Sequence, residues 1–183
     1  MRAFFGIPCP ESVRETLEPM AVELADTTNI KTVRPENYHL TVKFLGDISQ
    51  SDCRDFDSLL QSRLPTPGPL KLDVEHVGVF PSMEHPSVVW AGIEPTESLQ
   101  LVHDEVESVA LDLDFDPEDH DFRPHVTLGR YKNSMNNKQK LLEWIQNYGD
   151  EHFASFEAGN LHLYESELTQ DGPIYSSLVS WPL

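Results

Sequence analysis

Two tripeptides of one form, His39-Leu40-Thr41 and His125-Val126-Thr127, constrain this chain more than any other feature. Each opens an apolar, strand-like run: Tyr38-His39-Leu40-Thr41-Val42-Lys43-Phe44-Leu45 and Pro124-His125-Val126-Thr127-Leu128-Gly129. Alternate side chains of a β-strand share a face, so His39 and Thr41 point one way and Leu40 and Val42 the other. The second copy sets His125 and Thr127 against Val126 and Leu128 in the same manner. A fold that brings the two strands together makes two imidazoles and two hydroxyls converge. That set suffices for metal-free acid–base chemistry on a phosphate.

With eight histidines and nine threonines in 183 residues, chance supplies roughly 0.4 tripeptides of this form. One copy alone would reflect strand propensity and packing. Here both copies hold an aliphatic residue between His and Thr, another directly after the Thr, and then a glycine, Gly46 or Gly129. The matched context selects function over packing.

The elements around the motifs repeat too. Arg2 to Ile7 reads as a buried strand, and Pro10 starts a helix with Val13, Leu17, Ala21 and Leu24 at helical spacing and Pro19 as an expected kink. The first His-x-Thr strand follows, then an amphipathic helix over 49–64 that buries Phe56, Leu59 and Leu60. The proline-rich stretch 64–69 reads as a linker. Strands over 70–80 and 87–93, a helix over 96–111, an acidic loop and the second His-x-Thr strand come next. A helix over 135–148 and strands over 158–168 and 174–181 close the chain. The order strand, helix, His-x-Thr strand, helix therefore occurs twice, which predicts an internal duplication and an α+β fold with antiparallel sheets.

A length of 183 residues suits one domain or two small lobes. There is no charged-then-apolar leader and no apolar run near 18 residues, so neither a signal peptide nor a membrane span is expected. Cys9 and Cys53 make no disulfide framework, which suits a reducing cytoplasm. Thirty-one acidic against 13 basic residues give a net charge of −18, spread over helices and loops rather than gathered in a tail. That pattern resembles proteins of salt-accumulating halophiles and argues against a general nucleic-acid-binding surface. A small anionic substrate remains compatible with it. Six basic residues, Lys31, Arg34, Lys43, Arg123, Arg130 and Lys132, lie within about ten positions of a motif histidine. His76, His85, His103, His120, His152 and His162 lack metal-ligand spacing, and the acidic stretch 112–119 has Pro117 where a calcium loop needs glycine. No metal and no cofactor is implied.

The chain resembles the two-histidine (2H) phosphoesterase superfamily and, within it, the LigT-like RNA 2′,3′-cyclic phosphodiesterases. The likeness is carried by Arg2-Ala3-Phe4-Phe5-Gly6-Ile7, both motif strands, Gly78-Val79-Phe80-Pro81 with Val88-Val89-Trp90-Ala91-Gly92, Phe122 to Arg130, and Tyr175 to Leu183. It implies one bilobal domain over 1–183, with two antiparallel sheets and flanking helices related by a pseudo-twofold axis around a central cleft. It also implies hydrolysis of a 2′,3′-cyclic phosphate to a 2′-phosphomonoester, with 2′-5′ RNA ligation as an associated activity. Glu84, His85 and Ser87 stand where relatives often place basic residues, which counts against extended RNA contacts.

On this reading His39 is the proton donor and His125 the proton acceptor, by analogy with the family, while Thr41 and Thr127 hold the non-bridging oxygens. Candidate substrate contacts are Lys43, which strict alternation puts on the His39 face, and Arg130, which needs a bulge or the strand's end to reach it. Phe80, Trp90 and Tyr175 are candidates for stacking on a base, with Trp90 assigned rather to the core. The expected partners are RNA ends, tRNA among them, or nucleoside cyclic phosphates, handled by a monomer in the cytoplasm. The alternatives are 2′-5′ RNA ligation as the main role, a non-catalytic nucleotide- or RNA-end-binding module, and a purely structural domain.

Overall fold

Every strand pairing is antiparallel, and strand order decides where the two motifs meet. The computed structural model describes residues 1–65, 68–131, 137–170 and 172–183. In chain order the elements are β1 (Arg2–Pro8), α1 (Glu11–Thr28), β2 (Lys31–Thr32), a 3₁₀ turn (Pro35–Asn37), β3 (His39–Asp47), α2 (Gln50–Arg63), β4 (Leu70–Phe80) and β5 (Val88–Ile93). They continue with α3 (Glu97–Asp112), β6 (His125–Arg130), α4 (Lys138–Tyr148), β7 (His152–Ala158), β8 (Asn160–Thr169) and β9 (Gly172–Pro182). The strands run as one path, β7-β4-β5-β6-β3-β1-β8-β9, with β2 added to β6.

The seam of that path is narrow. Strands β3 and β6 pair only at Leu40 and Val126, after which β2 takes over the same edge of β6, opposing Thr32 to Gly129 and Lys31 to Arg130. Where the sequence suggests two sheets, the ladders form one, with its halves joined at a single rung. Outward from the seam, β3-β1-β8-β9 mirrors β6-β5-β4-β7.

Local chemistry explains the helix ends. Ser49 caps α2 through a reciprocal box with Asp52: each side chain bonds the other residue's backbone N–H. The Thr96 hydroxyl accepts from the Leu99 N–H at the start of α3. Asn29, in the left-handed region at φ 57°, stops α1, and Pro19 lies within that helix. The expected helix start at Met135, the linker residues Thr66 and Pro67, and Lys132 lie outside the described residues.

One apolar cluster runs through both halves. Ala3, Phe5 and Ile7 of β1, Leu40 and Val42 of β3 and Val126 and Leu128 of β6 belong to it, with Val13, Leu17 and Leu24 of α1 and Val102, Val106 and Val109 of α3. The opposite face of these strands and of the neighbouring β5 carries Phe4, His39, Thr41, Trp90, His125 and Thr127. None of these belongs to the core cluster. No described helix is long and apolar enough to cross a membrane.

Candidate active site

The Leu40–Val126 rung fixes the site. Both side chains are fully buried, and in an antiparallel pair the residues on either side of a rung face the other way. Extending the register by one residue sets His39 opposite Thr127 and Thr41 opposite His125. All four are half-buried while their neighbours Leu40, Val42, Val126 and Leu128 are buried. The alternation read from the sequence is the alternation observed.

Each imidazole is oriented by its own backbone. His39 Nδ1 lies 2.7 Å from the carbonyl oxygen of Asn37, and His125 Nδ1 lies 2.7 Å from that of Arg123. A carbonyl only accepts, so Nδ1 carries the proton in both rings and the neutral form keeps its lone pair on Nε2. At His39 that nitrogen is 3.1 Å from the Thr41 hydroxyl, which donates to it. Aromatic edges brace the rings in matching fashion. Tyr175 meets His39 at 5.1 Å and 83°, and Phe80 meets His125 at 5.0 Å and 80°. Both aromatics therefore touch the imidazoles themselves.

The surroundings favour neutral rings. Burial pulls His39 down to about 4; the Asn37 carbonyl opposes this, and the charges of His125 and Arg130 add to it. Burial also lowers His125, against the Arg123 carbonyl and with Arg130 again contributing. Tyr175 is raised by burial and held back chiefly by Arg130. Arg130 is thus electrostatically close to both histidines and to Tyr175.

Two bulges explain why Arg130 reaches the site and Lys43 does not. Phe5 pairs with Lys43 and Gly6 with Thr41, which leaves Val42 as an extra residue in β3. Val89 pairs with Gly129 and Trp90 with Thr127, which leaves Leu128 extra in β6. Both bulges fall directly after the motif threonine, and each reverses the alternation beyond it. Lys43 consequently enters the core side, 2% exposed, where Nζ lies 2.7 Å from Glu107 Oε2 and donates to the Asp116 carbonyl at 3.1 Å. The expectation that Lys43 meets a phosphate is corrected: strict alternation fails at Val42. Arg130, at odd spacing from His125, emerges exposed on the motif face instead.

The same shift brings out a residue that the sequence reading did not single out. Phe44 holds in β3 the place of Arg130 in β6, five residues after the motif histidine. It is 54% exposed, with its ring 5.7 Å from Phe4, which itself packs 4.8 Å from His39. Overlaying the two copies by their histidines is the signal that would have found it. Trp90, assigned to the core from sequence, lies on the motif face, 5.0 Å from Phe80 and 6.1 Å from His125. Gly78 makes room for it: a Cβ there would stand 2.3 Å from the indole. Beside His39 opens a cavity of about 170 Å³ lined by residues that include Arg14, Glu36, Tyr164 and Tyr175. Among the described residues, no three His, Cys, Asp or Glu side chains gather where they could hold a metal ion.

The chain as a whole has known counterparts. The model of the LigT like Phosphoesterase family matches residues 7–90 and 93–175. The chain belongs to that family. A relative from Methanocaldococcus jannaschii named RNA 2′,3′-cyclic phosphodiesterase is 34% identical over 181 residues, covering 99% of this chain and all of its own. One from Archaeoglobus fulgidus with the same name is 33% identical, with 97% of this chain and 98% of its own covered. A crystal structure from Thermus thermophilus superposes with a TM-score of 0.84 at 25% identity, covering 100% of this chain and 98% of that one. E. coli LigT complexed with 3′-AMP gives 0.73 at 23% identity, covering 100% and 96%, a likeness of fold.

Proposed function

We propose that this LigT-like phosphoesterase is an RNA 2′,3′-cyclic phosphodiesterase that opens cyclic phosphate ends to 2′-phosphomonoesters by two-histidine acid–base catalysis. One observation carries the mechanism: two imidazoles, each with Nδ1 tied to a backbone carbonyl, flank one rung of antiparallel sheet and keep Nε2 for proton transfer. The relatives' shared name supports the substrate class.

The free site holds both rings toward neutrality, and an entering phosphate anion reverses that bias by favouring an imidazolium. His39, in the cationic form, is the proton donor, and neutral His125 is the acceptor. His125 Nε2 removes a proton from water as the water oxygen bonds to phosphorus. The bond to the 3′ oxygen breaks on the opposite side, and His39 Nε2 protonates the departing oxygen. Thr41 turns its hydroxyl from His39 to a non-bridging oxygen, Thr127 donates to the phosphate from the other strand, and Arg130 offsets the charge that builds there. Phe44 offers an open aromatic face to the base, while Phe80 and Tyr175 hold the imidazoles in place.

Both histidines come from one chain, so a monomer suffices, and residues 1–183 act as one bilobal domain. The mirrored strand order and the two similar stretches matched by the family model support descent by duplication. RNA ends, tRNA ends included, and nucleoside cyclic phosphates are the expected partners. Cys9 and Cys53, both free, fit a reducing cytoplasm.

The test is incubation of the protein, in high salt with EDTA, with a nucleoside 2′,3′-cyclic phosphate and a short RNA carrying the same end. A 2′-phosphate product is expected, and His39→Ala and His125→Ala should each cost about 10²- to 10⁴-fold in kcat. No turnover by folded protein would replace this reading with a binding module.

A further inference from the structure

Strand β4 carries an irregularity beside the site that hydrolysis of a single cyclic nucleotide does not require. Glu75 pairs with Gly92 and Val77 with Ala91, so His76 is an extra residue in a bulge. Its φ is 45°, in the left-handed region that favours glycine. The ring lies on the backbone of Gly92, where a Cβ would stand 2.3 Å from its Nε2. Only glycine at 92 permits that position.

Gly92 is the residue of β5 that pairs with His125. His125, Gly92 and the imidazole of His76 therefore form one row across the motif face, with adjacent strands about 4.8 Å apart. Trp90 connects the two rings, 5.7 Å from His76 and 6.1 Å from His125. The indole N–H of Trp90 is buried and meets no acceptor among the described residues. His76 Nδ1 is 3.9 Å from Glu75 Oε1, and the ring is about one-third exposed. Glu94 hydrogen-bonds to Glu75 and is held toward its protonated form by that contact. On the ring's Nδ1 side, then, lies an acidic pair, and its Nε2 edge lies in the row that leads to His125.

We propose that His76 and Trp90 form a second subsite, which binds the phosphodiester linking the reacting nucleotide to its neighbour in an RNA chain. This rests on the activity proposed above and extends it from a nucleotide to an oligonucleotide. The chemistry is that of an anion site: the His76 ring at Nε2 and the Trp90 indole each present an N–H donor to a phosphate oxygen. Backbone strain that a glycine would relieve persists where the side chain has a use.

Three substrates test it: a nucleoside 2′,3′-cyclic phosphate, a dinucleotide with the same end, and that dinucleotide with an uncharged methylphosphonate linkage. The protein should favour the natural dinucleotide in kcat/KM by about 10- to 100-fold, the worth of a charge-assisted hydrogen bond. The methylphosphonate should lose most of that preference. His76→Gly should lose it too while raising Tm, because glycine accepts the backbone angle freely. His76→Asn, which also tolerates positive φ, should behave like His76→Gly in selectivity. Preference kept in either variant, or kept for the methylphosphonate, would overturn the subsite. Equal turnover of mononucleotide and dinucleotide removes the subsite alone, and no turnover of any of the three removes the activity with it.

Discussion

Replacing Lys43 by methionine separates the sequence-based role of this residue from its structural one. The ammonium is 2% exposed, 2.7 Å from a Glu107 carboxylate that is itself only 18% exposed, and it also donates to the Asp116 carbonyl. Removing one partner of a buried pair leaves the other charge uncompensated and costs about 3–5 kcal/mol. Glu107 retains a second bond, from the Glu118 N–H to Oε1, and some solvent, so a loss near 3 kcal/mol is expected. For a chain of this size each kcal/mol moves Tm by about 2–4 °C, so a fall of roughly 6–12 °C should follow. Lys43→Met with Glu107→Leu removes both charges and should recover most of that loss. The assay is denaturant unfolding and thermal melting of both variants, with kcat/KM for a cyclic phosphate measured well below either Tm. Lys43→Met protein that is folded should keep the wild-type kcat/KM within a few-fold. A loss below about 1 kcal/mol combined with a 100-fold fall in kcat/KM would refute the bulge argument and return Lys43 to the phosphate.

Arg130→Ala should lower kcat/KM by about 10- to 100-fold, the scale of one charge-assisted contact. Since Arg130 depresses both histidines, the pH–rate profile of that variant should shift to higher pH. Stability should depend on pH through His39, which is held at about 4 when folded against about 6.5 unfolded. Between these values the unfolded chain binds the extra proton, so stability should fall by about 3 kcal/mol as pH drops from 6.5 to 4. Unfolding of His39→Ala across that range should lack this component. Phe44→Ala should raise KM by about 5- to 100-fold through the loss of one stacking face, with Tm nearly unchanged because the ring is exposed. Gly78→Ala drives a methyl into the Trp90 indole and should cost about 1–3 kcal/mol; melting and kcat measured together should show the displaced ring disturbing His125.

How much of this was legible follows from which rules are local. Period-2 alternation placed His39, Thr41, His125 and Thr127 on one face, because the motif residues precede both bulges. It failed just beyond Thr41, at Lys43, since a bulge depends on how a neighbouring strand pairs and leaves no mark in hydropathy. Helix ends were readable where a capping side chain announces them, as at Ser49 and Thr96. The short strand β2 and the strand β7 were missed. Lys31 and Thr32 are strand only because β6 leaves an edge open there, and His152–Ala158 mixes polar and apolar residues without a clear period. That the two halves share one sheet was equally invisible, because it rests on the single contact between Leu40 and Val126.

The tethers on the two Nδ1 atoms have a consequence for how such a site tolerates change. A carboxylate partner would make each imidazole a stronger base and would tie its strength to the charge of whatever surrounds it. Here the partner is a main-chain oxygen, two residues upstream, and the side chains at Asn37 and Arg123 have no part in the bond. The tautomer is thus inherited with the strand itself. The surface of a chain with 31 acidic residues can be rewritten extensively, and the nitrogen left to handle the proton stays the same one.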